Sequence, residues 1–165
     1  MGNNPHLIYK MMVTRSPFNT KVFGATVESI FKAEAQKAGY HCFTPEGEYL
    51  PIDIVVYNLE SRTLYRVQIK GTVSNAKLGR ETAYRIVLEK ENHSGVQFEH
   101  VDVLACYVQP SDSWYLIPGD EKMFTSKTIK FFPHVPKEKS RSKWQPYLEN
   151  WSLFNSCTAI STRTP

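Results

Sequence analysis

The sequence has few cysteines and no long apolar run. Its three cysteines, Cys42, Cys106 and Cys157, are far apart and form no C-x-x-C pair, which argues against a zinc cluster and predicts reduced, buried thiols. No apolar stretch is long enough to cross a bilayer, and the first residues lack the pattern of a signal peptide. These absences predict a soluble protein of the cytoplasm.

Internal repeats and long low-complexity segments are also absent, and the composition is that of a globular protein. Apolar residues make up 41% of the 165 residues and charged residues 22%, which suits a single sizeable core. We therefore expect one domain over residues 1–165, with 1–19 as an N-terminal arm and 156–165 as a flexible tail. The formal net charge of +4 favours an anionic partner without identifying it.

The stretch from Pro51 to Lys70 predicts two strands joined by a short polar connection. Asp53 interrupts the apolar run of the first strand. Gln68 and Lys70 lie two residues apart in the second strand, so their side chains point to the same face. Because Lys and Asp are rarely buried unless they are paired or bound to a metal, the two strands together indicate a functional site.

These residue types suit the hydrolysis of a phosphodiester. A hard cation such as Mg²⁺ takes oxygen ligands, often one or two carboxylates together with substrate phosphate and water. Asp53 offers a carboxylate and Gln68 a neutral carbonyl oxygen, while the Lys70 ammonium can hold a phosphate or orient the attacking water. The alternative is an ordinary half-solvated sheet, and taken alone the pattern favours that alternative.

The segment before these strands is predicted to be a helix that begins at Thr20, a candidate N-cap, and ends at Gly39. Apolar residues recur at helical spacing along it. Glu28 lies one turn after Gly24, and Glu34 is a second acidic residue on the same helix. A single Glu on a helix is usually a solvated charge, so the helix alone assigns neither residue a function.

Taken in order, the helix and the two strands resemble the PD-(D/E)XK nuclease superfamily. The motif of that superfamily is an Asp on one strand, followed on the next strand by an acidic residue, any residue and Lys. Here it stands as P-I-D ending at Asp53 and Q-I-K ending at Lys70. Gln68 departs from the usual acidic residue, and this Q-x-K form resembles the branch of cyanobacterial group I intron homing endonucleases.

The resemblance implies an α/β, restriction-endonuclease-like core, with a central mixed sheet flanked by helices. It also implies metal-dependent DNA cleavage, with Mg²⁺ as the cofactor and Mn²⁺ as a substitute. Asp53, Gln68 and Glu28 would be metal ligands, Glu28 in an auxiliary role, and Lys70 would orient water and phosphate. Glu28 ranks ahead of Glu34 because Gly24 beside it would allow close approach to the sheet.

The polar and basic connection after Lys70 is predicted to be a loop that lies along DNA. The candidate DNA contacts are Ser74, Lys77, Arg80, Tyr84 and Arg85. A solvent-exposed hairpin loop is the alternative. Because so small a chain has few base-reading elements, recognition of a long site in double-stranded DNA predicts a homodimer or a homotetramer.

Further along the chain, Val101–Gln109 and Trp114–Pro118 predict a buried hairpin, and Trp144–Phe154 predicts a short helix. A basic stretch lies between the hairpin and this helix. It either contacts the phosphate backbone of DNA or is a solvated loop. Its cations are Lys127, Lys130, Lys137, Lys139, Arg141 and Lys143.

The function predicted from the sequence is a metal-dependent DNA endonuclease, first of all a site-specific homing or restriction-like enzyme. A structure-specific resolvase of branched DNA is the nearer alternative. The more distant alternative is a DNA-binding module that kept the fold and lost full chemistry at Gln68. The presence of Glu28, Asp53 and Lys70 argues against that loss.

Overall fold

The computed structural model describes residues 19–47, 50–78, 81–88 and 95–155, with 75–78 and 81 described by their backbone alone. The predicted tail at 156–165 lies outside the described residues, and so does the predicted arm apart from Asn19. Within the described part, no helix combines the length and the hydrophobicity needed to cross a membrane. Its helix and strands are α1 Thr20–Lys37, β1 His41–Phe43, β2 Ile54–Asn58, β3 Thr63–Thr72, β4 Asn75–Leu78, β5 Glu81–Val87, β6 Val103–Val108, β7 Ser113–Pro118 and β8 Thr128–Phe131.

Helix α1 is capped by Asn19 and not by the predicted residue, Thr20. The Asn19 side chain accepts hydrogen bonds from the backbone N–H groups of Lys21 and Val22, at 3.0 and 3.2 Å, and so satisfies two free donors of the first turn. Thr20 is already helical and therefore cannot serve as the cap. The predicted stop at Gly39 is confirmed, because this residue has a φ of +91°, the left-handed conformation that ends many helices.

The main sheet has the strand order β1-β2-β3-β6-β7. Strands β3 and β6 are parallel and the other neighbours are antiparallel, so the predicted mixed sheet is confirmed. The two strands of the P-I-D and Q-I-K motifs are direct neighbours. The predicted hairpin is formed by β6 and β7, and every residue of β6 is buried because layers cover both of its faces.

Different layers cover the two faces of this sheet. Helix α1 packs on one face through Val27, Phe31 and Ala35. A second sheet, of order β4-β5-β8, covers β6 and β7 on the other face, where the rings of Tyr115 and Phe131 stack with their centroids 4.2 Å apart. The predicted α/β class is confirmed, although within the described residues an α-helix covers one face and a sheet the other.

The connection after Lys70 is not the predicted loop. Strand β3 continues to Thr72, and after a two-residue turn the chain enters β4, which pairs with β5. The turn is closed by the Thr72 hydroxyl, which accepts a hydrogen bond from the Ser74 backbone N–H at 3.0 Å. Pairing with β5 satisfies the backbone groups that a loop would have left to solvent.

The predicted helix at 144–154 is likewise replaced by two short 3₁₀ turns, Gln145–Tyr147 and Trp151–Asn155. Glu149 lies between them with a φ of +52°, which an α-helix cannot contain. Its backbone N–H donates to the carbonyl oxygen of Trp114 at 2.8 Å, and its carboxylate accepts a hydrogen bond from the backbone N–H of Trp114 at 2.6 Å. The chain therefore pairs with β7 at the point where a helix would have continued.

Candidate active site

Asp53 lies just before β2 and is fixed across the boundary between β2 and β3. Its backbone N–H donates to the carbonyl oxygen of Val67 at 2.9 Å, which extends the ladder of the two strands by one residue. Its Oδ2 accepts hydrogen bonds from the backbone N–H of Ile69 at 2.6 Å and from Nε2 of Gln68 at 2.5 Å. Two predicted site residues, fifteen positions apart, are thus in direct contact.

Gln68 and Lys70 are both half-buried, on the same face of β3. They pair with Leu104 and Cys106 of β6, which are buried against the second sheet. Burial raises the pKa of the free Cys106 thiol, and the positive charge of Lys70 acts in the opposite direction. That same charge acts to lower the pKa of Asp53, so the ammonium group and the carboxylate belong to one electrostatic site.

The pKa of Asp53 is nevertheless raised above its ordinary value. Burial is the largest cause, and it outweighs the hydrogen bond from Ile69, the charge of Lys70 and the hydrogen bond from Gln68, which all act to lower the pKa. The negative form of this carboxylate is therefore incompletely compensated by the surrounding residues. A bound cation would supply the missing compensation.

Glu28 lies on the half-buried side of α1, close enough to Asp53 for the two charges to interact. Burial raises the pKa of Glu28, the negative charge of Asp53 raises it further, and Lys32 lowers it. The alternative residue, Glu34, forms an exposed ion pair with Lys37 at 2.7 Å on the same helix. The geometry thus brings Glu28 to Asp53, whereas Glu34 has a surface partner.

The glycine that allows close approach between helix and sheet is Gly71, and the predicted role of Gly24 is wrong. Among the described residues, no heavy atom lies within 4 Å of a Cβ atom built on Gly24. A Cβ atom on Gly71 would lie 2.8 Å from Cε1 of Phe23 and 2.9 Å from Cγ2 of Val27. Because Gly71 directly follows Lys70, the bare strand backbone lets α1 pack close to the site.

A salt bridge that was not predicted from the sequence fixes β3 against β6. Nε of Arg66 donates to Oδ2 of Asp102 at 3.0 Å, and its guanidinium Nη2 donates to Oδ1 at 2.8 Å. Oδ2 also accepts a hydrogen bond from the Arg66 backbone N–H at 2.8 Å. The residues that follow this pair, Val67 in β3 and Val103 at the start of β6, are register partners. Arg66 therefore helps to set the register that places Gln68 and Lys70. Its partner is 36 positions away, and no local pattern in the sequence reveals the pair.

The predicted DNA contacts have different fates. Ser74 is exposed in the turn between β3 and β4. Lys77 lies in β4, which is described by its backbone alone. Arg80 lies outside the described residues. Tyr84 is only 5% exposed and its hydroxyl group lies 3.1 Å from Nε2 of His134, so it offers little surface to DNA and its role as a DNA contact stays a prediction. Arg85 is exposed on the outer face of β5.

The donor set of the site fits a hard divalent cation. Among the described residues, Oδ1 of Asp53 accepts no hydrogen bond, and the Glu28 carboxylate lies nearby. The described part of the chain contains no cluster of three or more His, Cys, Asp or Glu residues, so two carboxylates need further oxygen ligands. Gln68 directs its Nε2 group to Asp53, so its amide would have to flip for Oε1 to bind a metal.

The sequence profile of the PD-(D/E)XK endonuclease family matches residues 18–154, a range that includes Glu28, Asp53, Gln68 and Lys70. The chain belongs to this family. Membership confirms the resemblance drawn from the P-I-D and Q-I-K motifs, and it identifies the protein as a nuclease by class.

Solved structures of two PD-(D/E)XK nucleases are similar to this chain. A bacterial homing endonuclease, I-Ssp6803I, has 22% sequence identity over 82% of this chain and 93% of its own, with a TM-score of 0.65. Hjc, a Holliday junction resolvase from the archaeal hyperthermophile Archaeoglobus fulgidus, has 20% identity over 66% of this chain and 83% of its own, with a TM-score of 0.42. The first likeness supports the shared fold. No curated protein matched the sequence.

Proposed function

We propose that this PD-(D/E)XK protein is a metal-dependent endonuclease that hydrolyses phosphodiester bonds of double-stranded DNA, as a site-specific homing or restriction-like enzyme. The observation that carries the proposal is the geometry at Asp53. Its Oδ2 is held by Gln68 and by the backbone of Ile69, and it shares an electrostatic site with Glu28 and Lys70. Family membership and the fold shared with a homing endonuclease support it.

Each residue of the site has a distinct task in this proposal. Asp53 and Glu28 would hold Mg²⁺, or Mn²⁺ as a substitute, which when bound polarises the phosphodiester and lowers the pKa of a bound water. Gln68 holds the Asp53 carboxylate in place, and with its amide flipped it would instead be the neutral ligand. The Lys70 ammonium binds a phosphate oxygen or orients the attacking water, because it is a compact cation beside the carboxylates.

Replacement of an acidic residue by Gln68 has a consequence for the order of binding. The site contains one negative charge fewer than the usual motif of the family, and cation affinity follows the charge of the ligands. We expect weak metal binding by the free protein and completion of the ligand set by phosphate oxygens of DNA. The assembly proposed for long-site recognition is a homodimer or homotetramer, because one small chain offers few base-reading elements.

The test is a cleavage assay on supercoiled plasmid, branched junctions and a genomic library, with Mg²⁺, Mn²⁺ or EDTA. Wild type is compared with Asp53→Ala and Lys70→Ala, and Glu34→Gln serves as the control because its ion pair is on the surface. The proposal predicts metal-dependent cutting that is lost in the first two variants and retained in the control. Binding without cutting of any substrate would overturn it, and a preference for junctions would replace site-specific cleavage by resolution of branched DNA.

A further inference from the structure

A basic groove lies along the outer side of the second sheet, apart from the candidate catalytic residues. One wall is the outer side of β8, with Thr128, Lys130 and the following Phe132. The other wall is the segment 139–144, which contributes Lys139 and Arg141 together with further polar side chains. Strand β8 is separated from β4 by β5 and pairs with no strand of the main sheet. The groove is therefore a different surface from the site at Asp53.

Two cations face each other where β5 and β8 pair at this surface. Arg85 and Lys130 are direct register partners, and both are exposed. Their neighbours in sequence, Tyr84, Ile86 and Ile129, point inward and are buried. Residues directly opposite each other on an antiparallel pair share a face, and like charges there repel. Such a pair is favoured when an anion lies over both groups.

Acidic residues do not neutralise the groove. Among the described residues, no Asp or Glu lines it, and the cations Arg85, Lys130, Lys139 and Arg141 form no ion pair. Ser126, Thr128, Ser140 and Ser142 supply hydroxyl groups along the same walls. Cations interspersed with hydroxyl groups are the side chains that contact phosphate and sugar in protein–DNA complexes.

Lys143 anchors the segment that forms the second wall of the groove. Its Nζ donates to the carbonyl oxygen of Met123 at 2.6 Å and lies 4.5 Å from the ring centroid of Trp144. Trp144 in turn stacks on Phe124, with centroids 5.2 Å apart, and belongs to the core beneath the second sheet. The segment 139–144 is thus anchored to the fold, so the cations on it are held at a defined surface.

We propose that this groove, together with Arg85, binds the phosphate backbone of duplex DNA outside the cleavage site. The choice of duplex DNA as the polyanion rests on the proposed function. The groove contributes affinity and does not contact the reacting phosphate, so its loss weakens binding and raises KM while kcat at saturating DNA is unchanged. This assigns a role to the basic stretch that the sequence left open between phosphate binding and solvation.

The test compares two triple variants that each remove three positive charges. Lys130→Gln, Lys139→Gln and Arg141→Gln are combined in the groove variant. Lys21→Gln, Lys37→Gln and Lys122→Gln form the control, because these lysines are exposed elsewhere. Affinity for a fluorescent DNA duplex is measured by anisotropy in EDTA over a series of KCl concentrations. All substituted side chains are exposed, and circular dichroism checks folding.

Each phosphate contact contributes about 0.9 to the slope of log K against log salt for duplex DNA. The groove variant should flatten this slope by up to about 2.7, and Lys130→Gln alone by up to about 0.9, with the control close to wild type. Equal effects of the two triple variants, or an unchanged slope in the groove variant, would overturn the proposal. Loss of affinity for an RNA duplex of the same sequence, with DNA affinity retained, would also overturn it.

This outcome is separable from that of the proposed function. A wild-type protein that binds duplex DNA without cutting it refutes the nuclease activity, and the salt slopes still decide the groove. A protein that cuts DNA with full affinity in the groove variant refutes the groove and leaves the activity standing. Absence of any duplex binding by wild type refutes both.

Discussion

Replacing Gly71 with Ala should damage both stability and activity, because helix α1 packs closely at this residue against the strand that carries Lys70. The added Cβ would lie 2.8 Å from Cε1 of Phe23 and 2.9 Å from Cγ2 of Val27. Carbon atoms in contact are ordinarily about 3.5–4.0 Å apart, so both neighbours must move by roughly 0.6 Å or more. The Phe23 ring is only partly buried and can turn aside.

Val27 cannot make the same adjustment. It is 1% exposed and lies in the middle of α1, where a β-branched side chain has essentially one rotamer. The helix must therefore shift as a body or the core must accept strain, which typically costs about 1–3 kcal/mol. For a protein of this size, that cost lowers Tm by about 2–4 °C for each kcal/mol. Since Glu28 follows Val27 directly, a shift of the helix also moves Glu28 relative to Asp53.

The assay is urea unfolding together with the cleavage rate, and Gly24→Ala is the matched control. Gly24 lies inside the same helix, and no atom of the described part of the chain is near its Cβ position, so Ala there should stabilise the protein by about 0.5–1 kcal/mol. Gly71→Ala should be destabilised, and a misplacement approaching 1 Å can reduce the rate about 100-fold. Wild-type stability and rate in Gly71→Ala would refute the reasoning.

The remaining predictions concern the charges of the site. Glu28→Gln should slow cleavage by about 10–100-fold, as loss of a supporting ligand typically does, while Glu34→Gln should cleave at the wild-type rate; equal rates in the two variants would contradict the assignment of Glu28. Gln68→Glu should tighten Mg²⁺ binding at least about tenfold by calorimetry, because it adds a negative ligand, and unchanged affinity would exclude Gln68 from the metal site. The raised pKa values of Asp53 and Glu28 mean that the folded state binds more protons than the unfolded state, so their contribution to the free energy of unfolding falls as pH rises through those raised values. In EDTA, the free energy of urea unfolding should fall more steeply with pH for wild type than for Asp53→Asn, and added Mg²⁺ should diminish the difference. Identical pH profiles of the two proteins in EDTA would contradict the electrostatic account.

The central cluster could be predicted from the sequence because its geometry is local. Strands β2 and β3 are consecutive and antiparallel, so two-residue alternation and a short connection were enough to bring Asp53 next to Gln68 and to put Lys70 on the same face as Gln68. The same alternation also indicates that Tyr84 is buried. It alternates in step with Ile86 and Leu88, and all three side chains are buried.

Other features depend on contacts between distant segments. The Arg66–Asp102 salt bridge joins β3 to the residue just before the parallel strand β6, and the relative register of the two strands is not encoded in either segment alone. The close approach at Gly71 depends on how α1 packs against β3, which the sequence does not reveal. Gly24 was predicted for this role because it is nearer to Glu28 along the chain. Glu149 ends the predicted C-terminal helix because β7 binds it, a tertiary contact that outweighs the helical spacing of the aromatic residues.

The central claim is that Asp53 and its neighbours form a divalent-metal site that DNA completes. The most direct measurement is a Mn²⁺ titration followed by electron paramagnetic resonance, on wild type and Asp53→Ala, with and without duplex DNA. The account predicts weak binding by free wild type, tighter binding when DNA is present, and loss of that DNA-dependent binding in Asp53→Ala. Tight Mn²⁺ binding without DNA, or undiminished binding by Asp53→Ala in the presence of DNA, would contradict it.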